Sequence, residues 1–241
     1  MRNLIIFGDT PFAQRLCRYI QFEAKDKVVA FTQEKNFMNH SSLQGVPVLP
    51  FETLDKSMKE GFEIVIGIGY AQMNQLKRKI YNKCKEKGYK VATYISSKAL
   101  VYADMIGEGC FIAPGAVIGP DCRLGICNYL ESSVILSHDT TLGNFNFLST
   151  NAVFGGNSKV GDNCFFGLHS TVRDEISIAS NNLFGSSSNI LKSISYIGGV
   201  FVGNPARQLV DKKSDKSIPN KGVYLGNPVH QLIYTTCPIN F

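Results

Sequence analysis

Apolar residues recur at every sixth position in the second half of the chain. The series starts at Leu100 and reaches Val202 without a slip, and a glycine or another small residue usually follows, as in Phe154-Gly155. Neither a helical period of about 3.6 residues nor simple strand alternation gives this spacing. Hexapeptide repeats are typical of a parallel β-helix of triangular section, in which the apolar residue points inward and the small residue allows a tight corner. The pattern therefore predicts stacked coils of 18 residues that share one core.

The first hundred residues show a different pattern, in which short apolar runs alternate with amphipathic segments. The predicted strands are the runs at 3–7, 28–31, 62–69 and 90–95. The predicted helices are the segments 12–22, 52–58 and 73–88. Thr10 is the expected N-cap of the first helix, Pro11 suits the first helical position, and Gly88 is the expected stop of the last helix. This alternation predicts a small parallel sheet of the Rossmann-like α/β type.

The chain is thus divided into a Rossmann-like domain at 1–96, a parallel β-helix at 97–203 and a C-terminal tail at 204–241. Ligands of parallel sheets lie at the carboxyl ends of the strands, here at 8–10 and 67–70. In the tail the sequence VFVGNPARQL returns 23 residues later as VYLGNPVHQL. Whether this second copy packs on the end of the β-helix or on a neighbouring subunit stays open.

Composition narrows the classes of function. The formal net charge is +6, but the basic residues are scattered and do not interleave with aromatic residues, so no nucleic-acid partner is expected. Seven cysteines without a C-x-x-C pair indicate reduced thiols, with those of the repeat packing inside the prism rather than binding metal. The N-terminal apolar run is too short for a signal peptide and no run has transmembrane length, so we expect a cytoplasmic protein without a membrane partner.

His138 is the candidate catalytic residue. It lies two positions after the inward Leu136, so its side chain should point outward, and Gly156 lies one coil above it. A general base beside an unobstructed backbone N–H is the minimal arrangement for acyl transfer, because the base accepts a proton and the N–H stabilises the oxyanion. Asp139 is placed to orient the imidazole ring.

The other histidines are weaker candidates for a functional role than His138. His169 is either a ligand contact or a surface residue, and His40 and His230 are expected to be incidental. His138 itself has the alternative interpretation of an exposed residue without a role. A metal-dependent β-helix hydratase is disfavoured, since the repeat supplies only His138 and His169, which are out of phase.

Together these features resemble the sialic-acid and bacillosamine-pathway sugar O/N-acyltransferases over roughly residues 1 to 209. The resemblance rests on the N-terminal sheet, the hexapeptide repeat, the motif Ser137-His138-Asp139 with Leu142-Gly143, and the closing V-G-N-P-A-R. It implies a left-handed β-helix and a homotrimer that binds acetyl-CoA between neighbouring β-helices. It also implies His138 as base, with Gly156 as the carbonyl-binding amide, and no metal.

The resemblance further implies two binding regions. The coenzyme would lie near Gly156, with its pantetheine along Leu168, Gly185 and Ser186 and its adenine at Pro205, Ala206 and Arg207. A nucleotide-linked amino sugar would bind at Gly8, Asp9 and Thr10. The sequence departs from the family in having a single glycine in the first turn, which leaves a purely structural turn as an alternative. It also has Phe147 where some members carry a second histidine.

The function expected from the sequence is an N-acetyltransferase of glycan biosynthesis, which transfers acetyl from acetyl-CoA to the amino group of a nucleotide-linked sugar without a covalent intermediate. One alternative is O-acetylation of sialic acid or another glycan precursor. A second is a non-catalytic β-helix that serves as an assembly or binding module.

Overall fold

The computed structural model describes residues 1–54 and 61–208. An N-terminal α/β region is followed by a left-handed parallel β-helix, as the sequence predicts. The second copy of the tail repeat, His230 and Cys237 lie outside the described residues.

The N-terminal sheet has five strands in the order β3-β4-β2-β1-β5, all parallel except the edge strand β3. The strands are β1 (Asn3–Phe7), β2 (Lys27–Gln33), β3 (Ser42–Leu43), β4 (Val46–Pro50) and β5 (Glu63–Ile66). The helices are α1 (Pro11–Glu23) and α2 (Gln75–Glu86), with 3-10 turns at Lys35–Phe37 and Phe51–Thr53. The Thr10 hydroxyl accepts the Ala13 N–H, which confirms the predicted N-cap.

Three elements of this region differ from the prediction. The strand Val46–Pro50 was not predicted, because its two prolines interrupt the apolar run; it forms parallel pairs on one side and takes the short antiparallel strand β3 on the other. The predicted strand at 90–95 joins the sheet only through a bridge from Val91 to Ile64, and its end belongs to the β-helix. Of the predicted helix 52–58, only the 3-10 turn is described, because 55–60 lie outside the described residues.

The β-helix has three faces, which we number in chain order. The first face contains β6 (Tyr94–Ile95), β9 (Phe111–Ile112), β12 (Tyr129–Leu130), β15 (Phe147–Leu148), β18 (Phe165–Phe166), β21 (Leu183–Phe184), β23 (Val200–Val202) and the antiparallel β24 (Arg207–Gln208). The second face contains β7 (Leu100–Val101), β10 (Val117–Ile118), β13 (Ile135–Leu136), β16 (Val153–Phe154), β19 (Thr171–Val172) and β22 (Asn189–Ile190). The third face contains β8 (Met105–Ile106), β11 (Arg123–Leu124), β14 (Thr141–Leu142), β17 (Lys159–Val160) and β20 (Ser177–Ile178).

The residues of the predicted six-residue series fill the core from Ile106 to Ile190. At both ends of the β-helix the series no longer predicts which residues point inward. In the first coil Val101, not Leu100, stands below Ile118, and the Leu100 side chain is exposed. In the last coil the inward positions belong to Ile194 and Phe201 rather than to the predicted Tyr196 and Val202. Apolar residues still recur at every sixth position of the sequence in these end coils. The coils are, however, one or two residues shorter than 18, so the predicted residues no longer stand in line with the inward residues of the neighbouring coil. Phe201 stacks on Phe184 at a ring distance of 5.1 Å and extends the core.

The N-terminal region covers the first face of the β-helix. The outward residues of that face form a ladder that is buried along its length: Tyr94, Phe111, Tyr129, Phe147, Phe165 and Leu183. Residues of α1, among them Leu16 and Ile20, pack on this ladder. Each buried aromatic or aliphatic side chain contributes about 2 kcal/mol, so the two regions are joined by a substantial apolar interface.

The cysteines of the repeat pack inside the protein, as predicted. Cys110, Cys122 and Cys164 are buried, and all six described cysteines are free thiols. Burial raises the pKa of the Cys110 thiol to about 12, so it stays protonated and unreactive at neutral pH.

Candidate active site

His138 lies at the corner between the second and third faces, two residues after the end of strand β13. Its neighbour Asp139 adopts a left-handed backbone conformation with φ of 58°, and the Asp139 N–H donates to the Pro120 carbonyl in the coil below at 3.1 Å. This bond fixes the turn, and the imidazole points out of the prism with 64% of its side chain exposed. The predicted outward orientation is therefore observed.

The carboxylate of Asp139 contacts the His138 ring. The distance from Nδ1 to Asp139 Oδ2 is 2.8 Å. A carboxylate beside Nδ1 favours the tautomer in which Nδ1 carries the proton and donates it to the carboxylate. The other nitrogen, Nε2, is then left with a lone pair that can accept a proton from a substrate.

Gly156 lies directly above His138 in the next coil. The chain is held there by the Asn157 N–H, which donates to the His138 carbonyl at 2.9 Å. A Cβ atom added to Gly156 would lie only 2.6 Å from both Nε2 and Cε1 of His138. The imidazole therefore occupies the space that a side chain at position 156 would need, so any larger residue there would displace the His138 ring.

The Gly156 N–H has no hydrogen-bond acceptor among the described residues. The corner between the third and first faces is different, because there the equivalent amides are capped by side chains from the next coil. The Asn144 N–H donates to Asp162 Oδ1 at 2.8 Å, and the Asp162 N–H donates to Ser180 Oγ at 2.9 Å. At Gly156 the amide is left free beside a basic nitrogen, which is the arrangement that acyl transfer requires.

A second feature is a cavity of about 530 Å³ between the N-terminal region and the corner that joins the first and second faces. Phe12, Arg15 and Tyr70 line it from the N-terminal side. The β-helix contributes Glu131, Phe147, Ser149, Leu168 and Ser186, among others. The predicted pantetheine residues Leu168 and Ser186 thus line a real cavity, with Gly185 next to Ser186 on the same corner.

The cavity contains an ion pair between a partly exposed arginine and a buried glutamate. Arg15 Nη2 lies 2.5 Å from Glu131 Oε1, and the Glu131 side chain is almost completely buried, whereas Arg15 is partly exposed. Burial raises the pKa of Glu131, and the positive charge of Arg15 opposes that rise. The Arg15 guanidinium also lies 4.9 Å from the centre of the Phe12 ring.

A single chain does not bring all the predicted residues together. His138 and Gly156 lie at one edge of the second face, whereas Leu168, Gly185 and Ser186 lie at its other edge. The predicted adenine segment lies beside the last coil of the same face, where the Ala206 N–H donates to the Asn189 carbonyl at 2.8 Å; Pro205 and Arg207 flank it and are exposed.

The predicted sugar-nucleotide residues follow strand β1, but their polar groups have partners inside the protein. The Gly8 N–H donates to the Thr32 carbonyl at 2.8 Å, and Thr10 caps α1. Asp9 is buried, and its Oδ2 accepts the Asn39 N–H at 2.9 Å. These contacts give the turn a structural role, while Pro11, which follows it, lines the cavity.

The remaining described histidines lie apart from His138. His169 is exposed at the corner between the first and second faces, where its ring contacts Asn151 Nδ2 at 2.9 Å, and His40 is exposed in a loop of the N-terminal region. In the described part of the chain, no group of three or more His, Cys, Asp or Glu side chains is placed to hold a metal ion. None of the described helices combines the length and the apolar character needed to cross a membrane.

Arg15 and Glu131 were not identified from the sequence, whereas Tyr70 belongs to the predicted ligand-binding strand end at 67–70 and lines the cavity. Arg15 reaches the cavity only through the packing of the N-terminal region on the β-helix, and no local pattern marks it. Glu131 carried a signal, because it occupies a corner position where the later coils have the small residues Ser149 and Gly167.

The fold, a left-handed β-helix preceded by an α/β region, is similar to that of solved sugar N-acetyltransferases. The acetyltransferase domain of PglB from Neisseria gonorrhoeae FA1090 matches with a TM-score of 0.76 and 22% identity, over 87% of this chain and all of that domain. It has also been solved with acetyl coenzyme A. A mutant of GDP-perosamine N-acetyl transferase from Caulobacter crescentus, in complex with CoA and GDP-perosamine, matches with a TM-score of 0.78 and 20% identity, over 88% of this chain and 98% of that one.

WeeI from Acinetobacter baumannii AYE matches with a TM-score of 0.76 and 18% identity, over 87% of this chain and all of that chain. Identities at this level establish similarity of fold. Neither a protein-family model nor a curated protein sequence matches the chain.

Proposed function

We propose that this protein transfers the acetyl group of acetyl-CoA to the amino group of a nucleotide-linked amino sugar. The observation that carries the proposal is the pairing of Nε2 of His138 with the free amide of Gly156 at one corner of the prism. The chemistry named for the solved proteins of the same fold agrees with it, since one is bound to acetyl coenzyme A and another to CoA and GDP-perosamine.

The chemistry follows from the two groups at the corner. The sugar amine attacks the thioester carbonyl, and the oxygen that becomes negative accepts the Gly156 N–H. Nε2 of His138 takes the proton that the amine loses, and Asp139 stabilises the imidazolium. Collapse of the tetrahedral species breaks the C–S bond, and the departing CoA thiolate regains a proton from the imidazolium. No covalent enzyme intermediate is needed.

The complete site requires more than one copy of the chain. The first face is covered by the N-terminal region, and the third face exposes polar residues such as Arg123, Thr141 and Lys159. The second face instead presents the apolar residues Val117, Ile135 and Val153 between its two edges. Packing of three second faces around an axis brings the His138 edge of one copy against the Leu168 edge of the next, as a closed heterologous ring requires.

In this homotrimer the acetyl-CoA lies in the groove between two copies. Its pantetheine runs along Leu168, Gly185 and Ser186 of one copy, with the adenine near the segment 205–207. The nucleotide sugar enters from the side of α1, with its diphosphate near the turn at 8–10, and its sugar reaches into the cavity. Because acetyl-CoA and nucleotide sugars are cytoplasmic metabolites, we place the protein in the cytoplasm.

The test is an acetylation assay with acetyl-CoA and a panel of UDP-, GDP- and dTDP-linked amino sugars, each paired with its hydroxyl counterpart. We expect release of free CoA thiol and an N-acetylated product. Acetylation of the hydroxyl compounds alone would indicate the O-acetyltransferase alternative. An absence of turnover together with no thermal stabilisation by CoA or by any nucleotide sugar would indicate a non-catalytic module.

A further inference from the structure

The Glu131 side chain is the one buried carboxylate that lines the cavity among the described residues. It lies on the corner between the first and second faces. Ser149 and Gly167 occupy the same position in the next two coils, so the β-helix does not need a carboxylate there for its own geometry. Removing a carboxylate from water costs several kcal/mol unless partners replace the lost hydrogen bonds.

Among the residues that the structure describes, only one of the two carboxylate oxygens of Glu131 has a hydrogen-bond partner. Glu131 Oε1 accepts Arg15 Nη2, but Glu131 Oε2 makes no hydrogen bond with any described residue. Two charged side chains act on this carboxylate, Arg15 from α1 and Lys77 from α2. Lys77 is not its hydrogen-bond partner, because the Lys77 ammonium lies over the Tyr129 ring at 3.7 Å and donates to Asn74 Oδ1 at 3.4 Å.

The surroundings of the open oxygen suit one class of ligand. An ionised carboxylate accepts hydrogen bonds and donates none, so its oxygen favours ligand groups that donate. Among such donors it favours amines in their ammonium form, because the positive charge strengthens the hydrogen bond. The walls of the cavity are aromatic, with Phe12, Tyr70 and Phe147 on its lining, and such walls suit the apolar faces of a sugar ring.

We infer that Glu131 binds the amino group of the acceptor sugar through Oε2 and selects amino sugars over sugars that carry a hydroxyl at that position. This inference rests on the proposed function and names the residue that holds the acceptor. Arg15 keeps the carboxylate in place through Oε1, so that Oε2 faces the cavity. The acceptor binds as an ammonium group and loses one proton to solvent, and the neutral amine that Glu131 then orients attacks the thioester and gives its next proton to Nε2 of His138.

The experiment compares Glu131→Gln with Glu108→Gln. Glu108 is a matched control because it too is a β-helix carboxylate paired with a helix of the N-terminal region, but it contacts Tyr81 and Lys85 of α2 and lies away from the cavity. Steady-state kinetics are measured for both variants with the best amino-sugar acceptor of the panel, with its hydroxyl counterpart and with acetyl-CoA. Thermal unfolding of each variant checks that it is folded.

We expect Glu131→Gln to raise the KM for the amino sugar roughly 10- to 100-fold, the range of a lost charge-assisted hydrogen bond, while the KM for acetyl-CoA stays unchanged. The preference for the amino sugar over its hydroxyl counterpart should fall by a similar factor, and Glu108→Gln should change neither value. An active wild type whose amino-sugar KM is unaffected by Glu131→Gln overturns the role of Glu131 alone. A wild type that acetylates no amino sugar overturns the proposed function instead.

Discussion

The imidazole of His138 occupies the place where a side chain of Gly156 would begin. A Cβ on Gly156 would lie 2.6 Å from Nε2, which is closer than a Cβ atom comes to an atom of another residue in van der Waals contact. The relationship joins two residues that are 18 positions apart in the sequence and one coil apart in the β-helix. The imidazole of His138 can occupy this position only because Gly156, whose backbone N–H faces the site, has no side chain.

Substitution of Gly156 by alanine should therefore damage catalysis without unfolding the protein. The added methyl group pushes the imidazole away from the corner and separates the base from the amide, and we expect kcat to fall about 100-fold or more. Gly61→Ala is the matched control, because among the described residues no atom lies within 4 Å of a Cβ at that position. Unchanged turnover in Gly156→Ala, measured as thiol release, would contradict the assigned geometry.

His138→Ala should lower turnover at least about 100-fold, the scale of a lost general base, and leave the assembly intact. Asp139→Asn should have a smaller effect, because it retains the turn but weakens the contact at Nδ1. His40→Asn changes an exposed histidine outside both corners and should behave as the wild type. Near-normal turnover in His138→Ala would refute its role as base.

The oligomeric state tests the role of the second face. Ile135 is outward and exposed on that face, and a glutamate in its place would bury a charge between copies of the chain. We expect Ile135→Glu to convert the proposed trimer into monomers in size-exclusion chromatography with light scattering. Thr141→Glu introduces the same charge on the third face and should remain trimeric. A monomeric wild type would contradict the proposed assembly.

The buried Lys77 gives the protein a pH-dependent stability. Burial lowers the pKa of Lys77 to about 7, whereas the unfolded chain keeps the ordinary value of 10.5. Between these values the unfolded chain binds a proton that the folded chain does not, so the free energy of unfolding rises with pH by on the order of 1 kcal/mol per pH unit. At pH 7 and below, the cost of burying the charge is present in full.

Lys77→Met removes the proton-binding group and should stabilise the protein at pH 7, with a gain that shrinks as the pH approaches 10. Denaturant unfolding at several pH values measures the gain, and Lys79→Met, which alters an exposed lysine, is the control. If the contact with the Tyr129 ring outweighs the cost of burial, Lys77→Met will instead destabilise the protein at every pH.

The sequence was most informative where structure depends on a short repeat. The six-residue period identified the inward residues from Ile106 to Ile190, and the period of 18 placed His138 below Gly156. The same rule failed at Leu100 and Val202, because the end coils are shorter and the repeat imposes no length on them.

Features that arise from long-range packing were out of reach. The cavity exists because α1 and the segment around Tyr70 pack on the outward ladder of the first face, and this contact joins residues far apart in the chain. Arg15 and Glu131 are 116 residues apart in the sequence, and their contact follows from that packing alone. The carboxylate of Asp9, which we predict to lie near the sugar nucleotide, also holds the loop at Asn39, a contact that a turn sequence does not reveal.

In the proposed trimer each site combines the His138 corner of one copy with the cavity of its neighbour. Complementation tests this arrangement most directly. Ser186→Trp fills the cavity and His138→Ala removes the base, so each variant alone should be inactive. In trimers co-expressed from both variants, about a quarter of the sites should combine an intact corner with an intact cavity and recover acetyl transfer to that extent. A mixture as inactive as the separate variants would contradict the shared site.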